Sequence, residues 1–243
     1  MEGRESLGRL YPYPGSTDPS AYERLNECTA PDGKIGQLMW GLAPISGKAV
    51  LDIGAGSGFH ALRYATEAAH MLVVEPDPRM LGRMRARIQR HGATNVSALG
   101  ASADALPLTE GLVDVAHALF AYFFGTRYCL PGMREVQRVL KPGGHFFIID
   151  ADPDHGDFGR LVRRAYPATF HAGYSQVHAA FYAKRGFASY RVDTYLRAPG
   201  RGVLEEILRM DYPEQYREFM ADIEGTELTY GVRVYHFQKP EAS

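Results

Sequence analysis

Short apolar runs alternate with longer amphipathic segments over most of the chain. In one of the longer segments, Met80, Met84 and Ile88 recur at the spacing of a helix that buries one face. Short continuous apolar runs are typical of strands that are buried on both sides. The pattern therefore predicts an α/β fold, with a mostly parallel sheet between helices. We expect the first five strands at residues 50–53, 71–74, 96–99, 112–119 and 145–149.

The later part of the chain repeats this pattern less regularly. Residues 151–175 leave the carboxyl end of the fifth predicted strand, where open α/β sheets hold their ligands. We expect this insertion and a second one, at about 198–227, to recognise a substrate, because loops on a rigid scaffold carry specificity. The patterns predict helices at 131–140, 176–185, 203–210 and 213–222, and strands at 187–196 and 228–239.

The first 43 residues differ in character from the rest. Residues 11–15 read Tyr-Pro-Tyr-Pro-Gly, which excludes a regular helix there. Ser20 is suited to cap a helix over residues 21–29. We therefore predict an N-terminal arm, 1–43, that precedes a single domain, 44–243.

Composition excludes several classes of protein. The chain has 243 residues, 45% of them hydrophobic and 23% charged, with a net charge of −1. This is ordinary for a globular protein and implies no bulk attraction to nucleic acid or to a membrane. Cys28 and Cys129 are too few for a disulfide framework or a metal cluster. No apolar run approaches the roughly 18 residues of a membrane span, and no secretory signal is visible, so we expect a cytoplasmic protein.

Glycines at alternate positions follow the first predicted strand. Gly54, Gly56 and Gly58 separate that strand from a segment with helical spacing. Glycine permits a positive φ and allows a ligand to approach the backbone closely. The unpaired amides of the first helical turn favour an anionic group. The stretch therefore predicts a ligand site at the carboxyl end of the first strand.

The spacing of this stretch indicates its ligand. A dinucleotide fingerprint would require glycine at the position of Phe59. The pattern that begins at Asp52, Asp-x-Gly-x-Gly-x-Gly, instead resembles the first motif of class I S-adenosylmethionine-dependent methyltransferases, of the type 11 methyltransferase-domain kind. The turn at residues 141–144, Lys-Pro-Gly-Gly, is similar to the family's connection into strand five, and the likeness covers about residues 48–150.

The resemblance implies a fold and a cofactor. The fold is a Rossmann-like, seven-stranded, mostly parallel sheet with the order 3-2-1-4-5-7-6 and an antiparallel last strand. The cofactor is S-adenosyl-L-methionine, with S-adenosyl-L-homocysteine as product. Glu75, at the end of strand two, is expected to hold the ribose hydroxyls, and Ser102 stands where the family often has an aspartate near the adenine. Implied cofactor contacts are Asp52, Gly54, Ala55, Gly56, Gly58, Glu75, Pro76, Ser102, Ala103, Asp104, Leu119 and Phe120.

The acceptor side is less defined by sequence. A hydroxyl acceptor would benefit from a general base, and His171, His155 and Asp152 are the candidates by position. His117, inside strand four, is expected to be a satisfied core histidine. No set of residues has metal-ligand spacing, and no metal is expected. Candidate substrate contacts are Tyr11, Tyr22, Tyr122, Phe158, Phe170 and Tyr174.

Three functions remain open at this point. The first is in-line methyl transfer to an oxygen, nitrogen or carbon atom of a small-molecule metabolite or natural product, by a monomer or homodimer. The second is methylation of nucleic acid or protein, but residues 119–122 lack the Asn/Asp-Pro-Pro-Tyr type of tetrapeptide that base methylases carry there. The third is a non-methylating enzyme, such as a cyclase or decarboxylase, or a binding module on the same scaffold, because a fold does not determine its chemistry.

Overall fold

The computed structural model describes residues 18–242. A short 3-10 turn at Arg127–Cys129 precedes the fifth helix. The strands are β1 Ala49–Ile53, β2 His70–Val74, β3 Val96–Leu99, β4 Val113–Leu119, β5 Leu140–Ala151, β6 Ala188–Arg197 and β7 Glu227–Gln238. The helices are α1 Pro19–Cys28, α2 Lys34–Leu42, α3 Phe59–Ala65, α4 Pro78–His91, α5 Leu130–Val139, α6 Gly156–Ala165, α7 Tyr174–Ala183, α8 Arg201–Asp211 and α9 Tyr216–Asp222.

The seven strands form one sheet in the order β3-β2-β1-β4-β5-β7-β6. Strands β1 to β5 pair in parallel, whereas β7 is antiparallel to both β5 and β6. The predicted fold class, strand order and antiparallel last strand are therefore confirmed. The carboxyl ends of β1, β2, β4 and β5 lie at one edge of the sheet, which is where a ligand of this architecture binds.

Successive side chains of β5 enter different cores. Phe147 and Ile149 pack on the face covered by α2 and α3, whereas Phe146 and Ile148 pack on the face covered by α5 and α7. All four are at most 1% exposed, and complete burial of such a side chain contributes roughly 1.5–3 kcal/mol. Burial on both faces explains why this strand appears in the sequence as a continuous apolar run.

A third apolar cluster joins the helices beyond the sheet. Leu161 of α6, Ile207 of α8 and Phe219 of α9 are each at most 1% exposed and pack together with Cys28 of α1. We call α1, α6, α8 and α9 the cap. Both cysteines are free and buried. Among the helices within residues 18–242, none is long and apolar enough to cross a membrane.

The N-terminal arm differs from its prediction in two respects. Asp18, not Ser20, caps α1, because its carboxylate accepts a hydrogen bond from the Ala21 amide at 3.1 Å and Pro19 occupies the first helical position. Helix α2 was not predicted, and its Met39 is fully buried in the same core as the sheet. The arm boundary at residue 43 stays a prediction, although α2 packs as part of the body.

Helix α6 was also missed. The glycines at both its start and its middle lower helix propensity and obscure the helical pattern. A Cβ on Gly159 would lie 2.7 Å from the Pro153 carbonyl oxygen, so the small residue allows this helix to pack against the preceding turn. Tertiary packing outweighs propensity here.

Candidate functional site

The turn after β1, residues 54–58, has the backbone that its glycines permit. Gly54, Gly56 and Gly58 have φ values of 69°, 56° and 78°. These values lie in the left-handed region of backbone conformation, which residues with a Cβ rarely adopt. The Gly54 and Ala55 amides donate to the Val74 carbonyl at 2.8 and 3.2 Å, which ties the turn to β2. We call residues 54–58 the glycine loop. The loop begins at the carboxyl edge of the sheet, as predicted.

Neighbouring elements approach the glycine loop closely. A Cβ on Gly54 would lie 2.5 Å from the Ala121 Cβ, and a Cβ on Gly58 would lie 2.8 Å from Met84 Cγ. A Cβ on Gly56 would collide with the Tyr22 hydroxyl of α1. The glycine loop is thus so close to α1, α4 and the turn after β4 that only glycine fits at these three positions.

Tyr22 brings the arm to this loop. Burial raises its pKa to about 12, so the phenol stays neutral near pH 7. The neighbouring Glu23 forms an ion pair with Arg87 of α4, which fastens α1 across the loop. The position supports Tyr22 as a residue that covers the ligand site, and its contact with a substrate stays a prediction. Tyr11, the other predicted arm contact, lies outside the described residues.

Glu75 lies directly beside the glycine loop. Its carboxylate accepts hydrogen bonds from the amides of Gly56, at 2.9 Å, and Asp77, at 2.8 Å. Burial raises its pKa, and the two amide bonds offset part of that effect. Pro76, the next residue, is exposed. The predicted sugar-binding acid and the predicted loop therefore meet at the ends of two adjacent strands.

Asp52 is a buried acid beneath the loop. It is 3% exposed, and its Oδ1 lies 3.5 Å from His117 Nδ1 on the adjacent strand β4. Burial raises the pKa of Asp52 to about 7 and lowers that of His117 to about 3. His117 is therefore buried and neutral. It is not satisfied as predicted, because neither ring nitrogen has a hydrogen-bond partner among the described residues.

Other unpartnered polar atoms surround this pair. Trp40 and Tyr64 contact the His117 ring at centroid distances of 5.8 and 5.6 Å, and His60 stacks on Tyr64. Trp40 Nε1, His60 Nδ1 and Ser57 Oγ are buried without a partner in the described part of the chain. Buried polar atoms in folded proteins normally have partners. This cluster is therefore suited to bound water or to a polar group of a ligand.

The Asp52 environment gives a stability prediction. The folded protein binds the proton of Asp52 more tightly than the unfolded chain does. The contribution of protonated Asp52 to the free energy of unfolding is therefore complete below about pH 4 and is lost as the pH rises through 7. Asp52→Asn cannot ionise. We expect its unfolding free energy, relative to wild type, to rise by about 2 kcal/mol between pH 5 and pH 8. Urea unfolding of both proteins at the two pH values measures this difference.

Asp114→Asn is the matched control. Asp114 accepts hydrogen bonds from Lys141 Nζ and the Ala49 amide, both at 2.9 Å, and these bonds outweigh burial and hold its pKa below the ordinary value. Its contribution is lost only as the pH falls below about 4, so its difference from wild type is expected to stay constant between pH 5 and pH 8. If the unfolding free energies of Asp52→Asn and wild type changed equally between pH 5 and pH 8, Asp52 would not be a buried neutral acid.

The predicted adenine loop follows β3. Ala103 is 4% exposed, Ser102 is half-buried and the Asp104 side chain is exposed. Glu135 and Arg138 of α5 hold the far side of the loop, since Glu135 accepts from a loop amide at 2.9 Å and Arg138 donates to two loop carbonyls at 2.7 and 3.1 Å. A rigid loop of small residues at the edge of the sheet leaves its backbone accessible to a planar adenine ring.

The turn after β4 is strained. Phe120 and Tyr122 both have a φ of 53°, which for residues with large side chains costs on the order of 1–3 kcal/mol and is common at functional sites. The Phe120 ring stacks on Tyr230 at 6.0 Å, and Phe158 lies 4.5 Å from the same ring. Leu119 packs on the core below. Phe120, Phe158 and Tyr230 form what we call the aromatic wall.

The other predicted substrate residues lie apart from this wall. Tyr122 packs against α5, and its hydroxyl donates to the Tyr128 carbonyl at 3.3 Å. Phe170 contacts Tyr174 at 5.0 Å, and Tyr174 lies over His178 at 3.8 Å. These three substrate contacts stay predictions. Tyr230, which sequence reasoning missed, has the more central position because it belongs to the aromatic wall.

Asp152 is the centre of a buried polar network. It is 1% exposed and accepts hydrogen bonds from Ser175 Oγ at 2.5 Å, Arg233 Nε at 2.8 Å and His155 Nδ1 at 2.9 Å. Burial alone would raise its pKa, but the bonds from Ser175 and His155 and the charge of Arg233 hold it below the ordinary value. Asp152 and His155 stay predicted bases, and this geometry favours a structural role for Asp152.

The remaining candidates differ in exposure. His171 is exposed, and its Nδ1 bonds to the adjacent Ala172 carbonyl at 2.9 Å. His155 lines a cavity of about 340 Å³ together with Lys34, Thr194 and Tyr230. Within residues 18–242 no group of three or more potential ligands could hold a metal ion.

Sequence reasoning missed one acid and one histidine at the same edge. Asp150 is the last acid within β5, and His178 lies in α7, with Asp150 Oδ2 and His178 Nδ1 3.9 Å apart. The sequence could have indicated Asp150 as a site residue, because it is an acid at the carboxyl end of a predicted buried strand. His178 had none, because a histidine within a helix does not reveal which residue it will meet on another element.

Known proteins share this architecture. Residues 50–144 match the model of a methyltransferase domain family. Over 108 residues the chain is 33% identical to the ubiquinone/menaquinone biosynthesis C-methyltransferase UbiE of Rubrivivax gelatinosus, covering 44% of this chain and 41% of that protein. The YcgJ protein of Bacillus subtilis has a TM-score of 0.61 at 20% identity, covering 85% of this chain and 98% of that one. The 4+2 cyclase SpnF has a TM-score of 0.57 at 18% identity, covering 86% and 81%.

These similarities cover only part of each relative or have low sequence identity. The chain spans about half the length of the curated relatives it matches. The solved structures share the fold at low identity. The matched segment contains the glycine loop, Glu75 and the adenine loop. Residues 50–144 therefore match a methyltransferase domain, and the whole sheet has the fold of solved S-adenosylmethionine-dependent methyltransferases.

Proposed function

We propose that the protein transfers a methyl group from S-adenosyl-L-methionine to a small-molecule acceptor. One observation supports this most directly, the hydrogen bond between the Gly56 amide of the glycine loop and Glu75 Oε2. This hydrogen bond connects the glycine loop after β1 to the carboxylate that follows the adjacent strand β2. This arrangement suits a nucleoside whose sugar lies across both strand ends.

The residues at the site fit this ligand. Glu75 has acceptor oxygens for two ribose hydroxyls, and the Ala103 backbone can meet the adenine. Asp52 lies under the loop beside polar atoms that have no partner within residues 18–242, and it would ionise next to the ligand's ammonium group because an adjacent cation favours a carboxylate. Gly54 and Gly56 allow the amino-acid end to approach the backbone.

The protein's own contribution to the reaction is positioning. When bound, the cofactor supplies an activated methyl group on a sulfonium. The strained turn at Phe120 and the aromatic wall lie next to the strand ends that hold the cofactor residues. Holding an acceptor at near-attack distance in this way accounts for several kcal/mol of barrier lowering in such reactions. The cap, with Tyr22, would exclude water from the site.

A small molecule is the acceptor that the chain favours. The net charge of −1 gives no attraction to nucleic acid, and the related UbiE protein is named for ubiquinone and menaquinone biosynthesis. A cytoplasmic location and a monomeric or homodimeric state remain part of this proposal. The similarity to SpnF, a cyclase, keeps a non-methylating reaction as the second candidate.

Two measurements test the proposed function together. Calorimetry is expected to show binding of S-adenosylhomocysteine at micromolar concentration, and labelled S-adenosylmethionine is expected to transfer its methyl group to a component of a metabolite extract, identified by mass spectrometry. Binding without transfer of label would favour the cyclase or binding-module alternative. No heat at millimolar ligand would contradict both.

A further inference from the structure

Asp150 and His178 form a buried pair that the cofactor site does not use. Their side chains are 13% and 10% exposed, and Asp150 Oδ2 lies 3.9 Å from His178 Nδ1. Both atoms are buried and have no hydrogen-bond partner in the described part of the chain. A carboxylate and an imidazole this close need only a small movement to bond, and such bonds are often long until a substrate binds.

The pair lies at the acceptor side of the sheet edge. Asp150 is near the carboxyl end of β5, next to the strand β4 whose following turn contains Phe120. A Cβ on Gly125 of that turn would be 2.8 Å from His178 Cγ, so the turn and the imidazole are in contact. Tyr182 fixes the turn there, since its hydroxyl accepts from the Gly125 amide at 3.0 Å and donates to the Phe123 carbonyl at 2.9 Å.

Phenols, a thiol and a guanidinium group surround the pair. In addition to burial, the Asp150 charge raises the pKa of Tyr230 in the aromatic wall, since both lie at the same strand ends, although Tyr230 packs in the core on the other face of the sheet. Burial raises the pKa values of Cys129, Tyr182, Tyr230 and Tyr235, so these four groups stay neutral near pH 7. The titratable and charged neighbours are Tyr174 and Tyr182 of α7, Tyr230, Arg233 and Tyr235 of β7, and Cys129 before α5, and Arg233 lies directly opposite Asp150 on the paired strand.

We propose that His178, held by Asp150, is the general base that takes the hydroxyl proton of a phenol-type acceptor. This proposal rests on the proposed methyl transfer. The aromatic wall offers faces against which a planar ring can stack. A phenol is also the hydroxyl acceptor whose acidity lies closest to that of imidazole, which makes the proton transfer effective.

The step balances without any further reactant. The hydroxyl proton moves to His178 Nε2 while the acceptor oxygen uses its electron pair to bond the methyl carbon. The carbon–sulfur bond breaks and its electrons stay on sulfur, which leaves a neutral thioether. The imidazolium is then paired with the Asp150 carboxylate until its proton is released to solvent.

The test compares His178→Gln with wild type on phenols of different acidity. With 1-naphthol at pH 8, which is largely protonated, we expect at least a 100-fold loss of kcat. With 4-nitrophenol, which is largely ionised at pH 8, the loss is expected to stay below about tenfold because no proton must be removed. The pH profile of the variant with 1-naphthol should lose its lower limb, and Asp150→Asn should reduce the rate in the same acceptor-dependent way.

His91→Gln is the matched control, since His91 is an exposed histidine of α4 whose Nδ1 bonds to the Arg87 carbonyl of the same helix at 2.9 Å. Equal losses on both phenols would overturn the base and indicate a packing role. A changed pH profile in His171→Gln but not in His178→Gln would place the base elsewhere. If S-adenosylhomocysteine binds but no member of a panel of phenols, naphthols and quinols is methylated, the acceptor class is wrong. If it does not bind, the proposed function itself fails.

Discussion

Gly56→Val is expected to weaken S-adenosylhomocysteine binding by about 100-fold or more. The residue has a φ of 56°, and any Cβ there collides with the Tyr22 hydroxyl. A branched side chain would both strain the loop, at roughly 1–3 kcal/mol, and fill the space that the ligand needs. Isothermal titration calorimetry of the variant and wild type measures the loss, and circular dichroism reports whether the fold remains.

Gly47→Val is the matched control for this change. Gly47 has a φ of 70°, so it carries comparable backbone strain, but a Cβ there meets nothing within 4 Å. We expect a similar loss of thermal stability and unchanged binding. If Gly56→Val fails to fold, Gly56→Ala makes the same test with less strain. Wild-type affinity in a folded Gly56 variant would mean that the ligand does not meet this loop.

Glu75→Gln is expected to weaken the same ligand by about 10- to 100-fold. A hydrogen bond to a charged group contributes roughly 1.5–3 kcal/mol, and an amide can accept through one oxygen only. The substitution keeps the size of the side chain, but its one oxygen can accept from the Gly56 amide or from the Asp77 amide and not from both, so the loss combines a changed loop with a weaker hold on the sugar hydroxyls. The 2′-deoxy analogue isolates the sugar contribution, because the ratio of wild-type to variant affinity should be smaller for it than for the full ligand.

Asp77→Asn tests whether charge alone explains that loss. Asp77 lies two residues from Glu75 and caps α4 by accepting from the Arg79 amide at 2.8 Å. Asparagine caps a helix about as well as aspartate, so the fold should persist while a nearby negative charge is removed. Binding is expected to change less than about threefold. A loss as large as that of Glu75→Gln would indicate long-range electrostatics in place of direct contact.

Most of the architecture was predictable because the signals are local. Buried strands and amphipathic helices alternate in the sequence, and the glycine spacing predicts the backbone of the loop, while the ligand class was implied by the family resemblance. The missed elements have a common cause. Helices α2 and α6 contain glycines that lower helix propensity, and Gly159 is needed for close packing against Pro153, which only the neighbouring chain reveals.

The site divides in the same way. The glycine loop and Glu75 as the acid of the next strand were predictable from residues close together in the chain, whereas the order of the sheet was implied by the family resemblance. The folded chain alone shows that His117 lies beside Asp52 with no hydrogen-bond partner among residues 18–242, that Tyr22 covers Gly56, and that Asp150 meets His178. These pairs join distant segments, and their burial and charge arise only when the sheet brings its strand ends together.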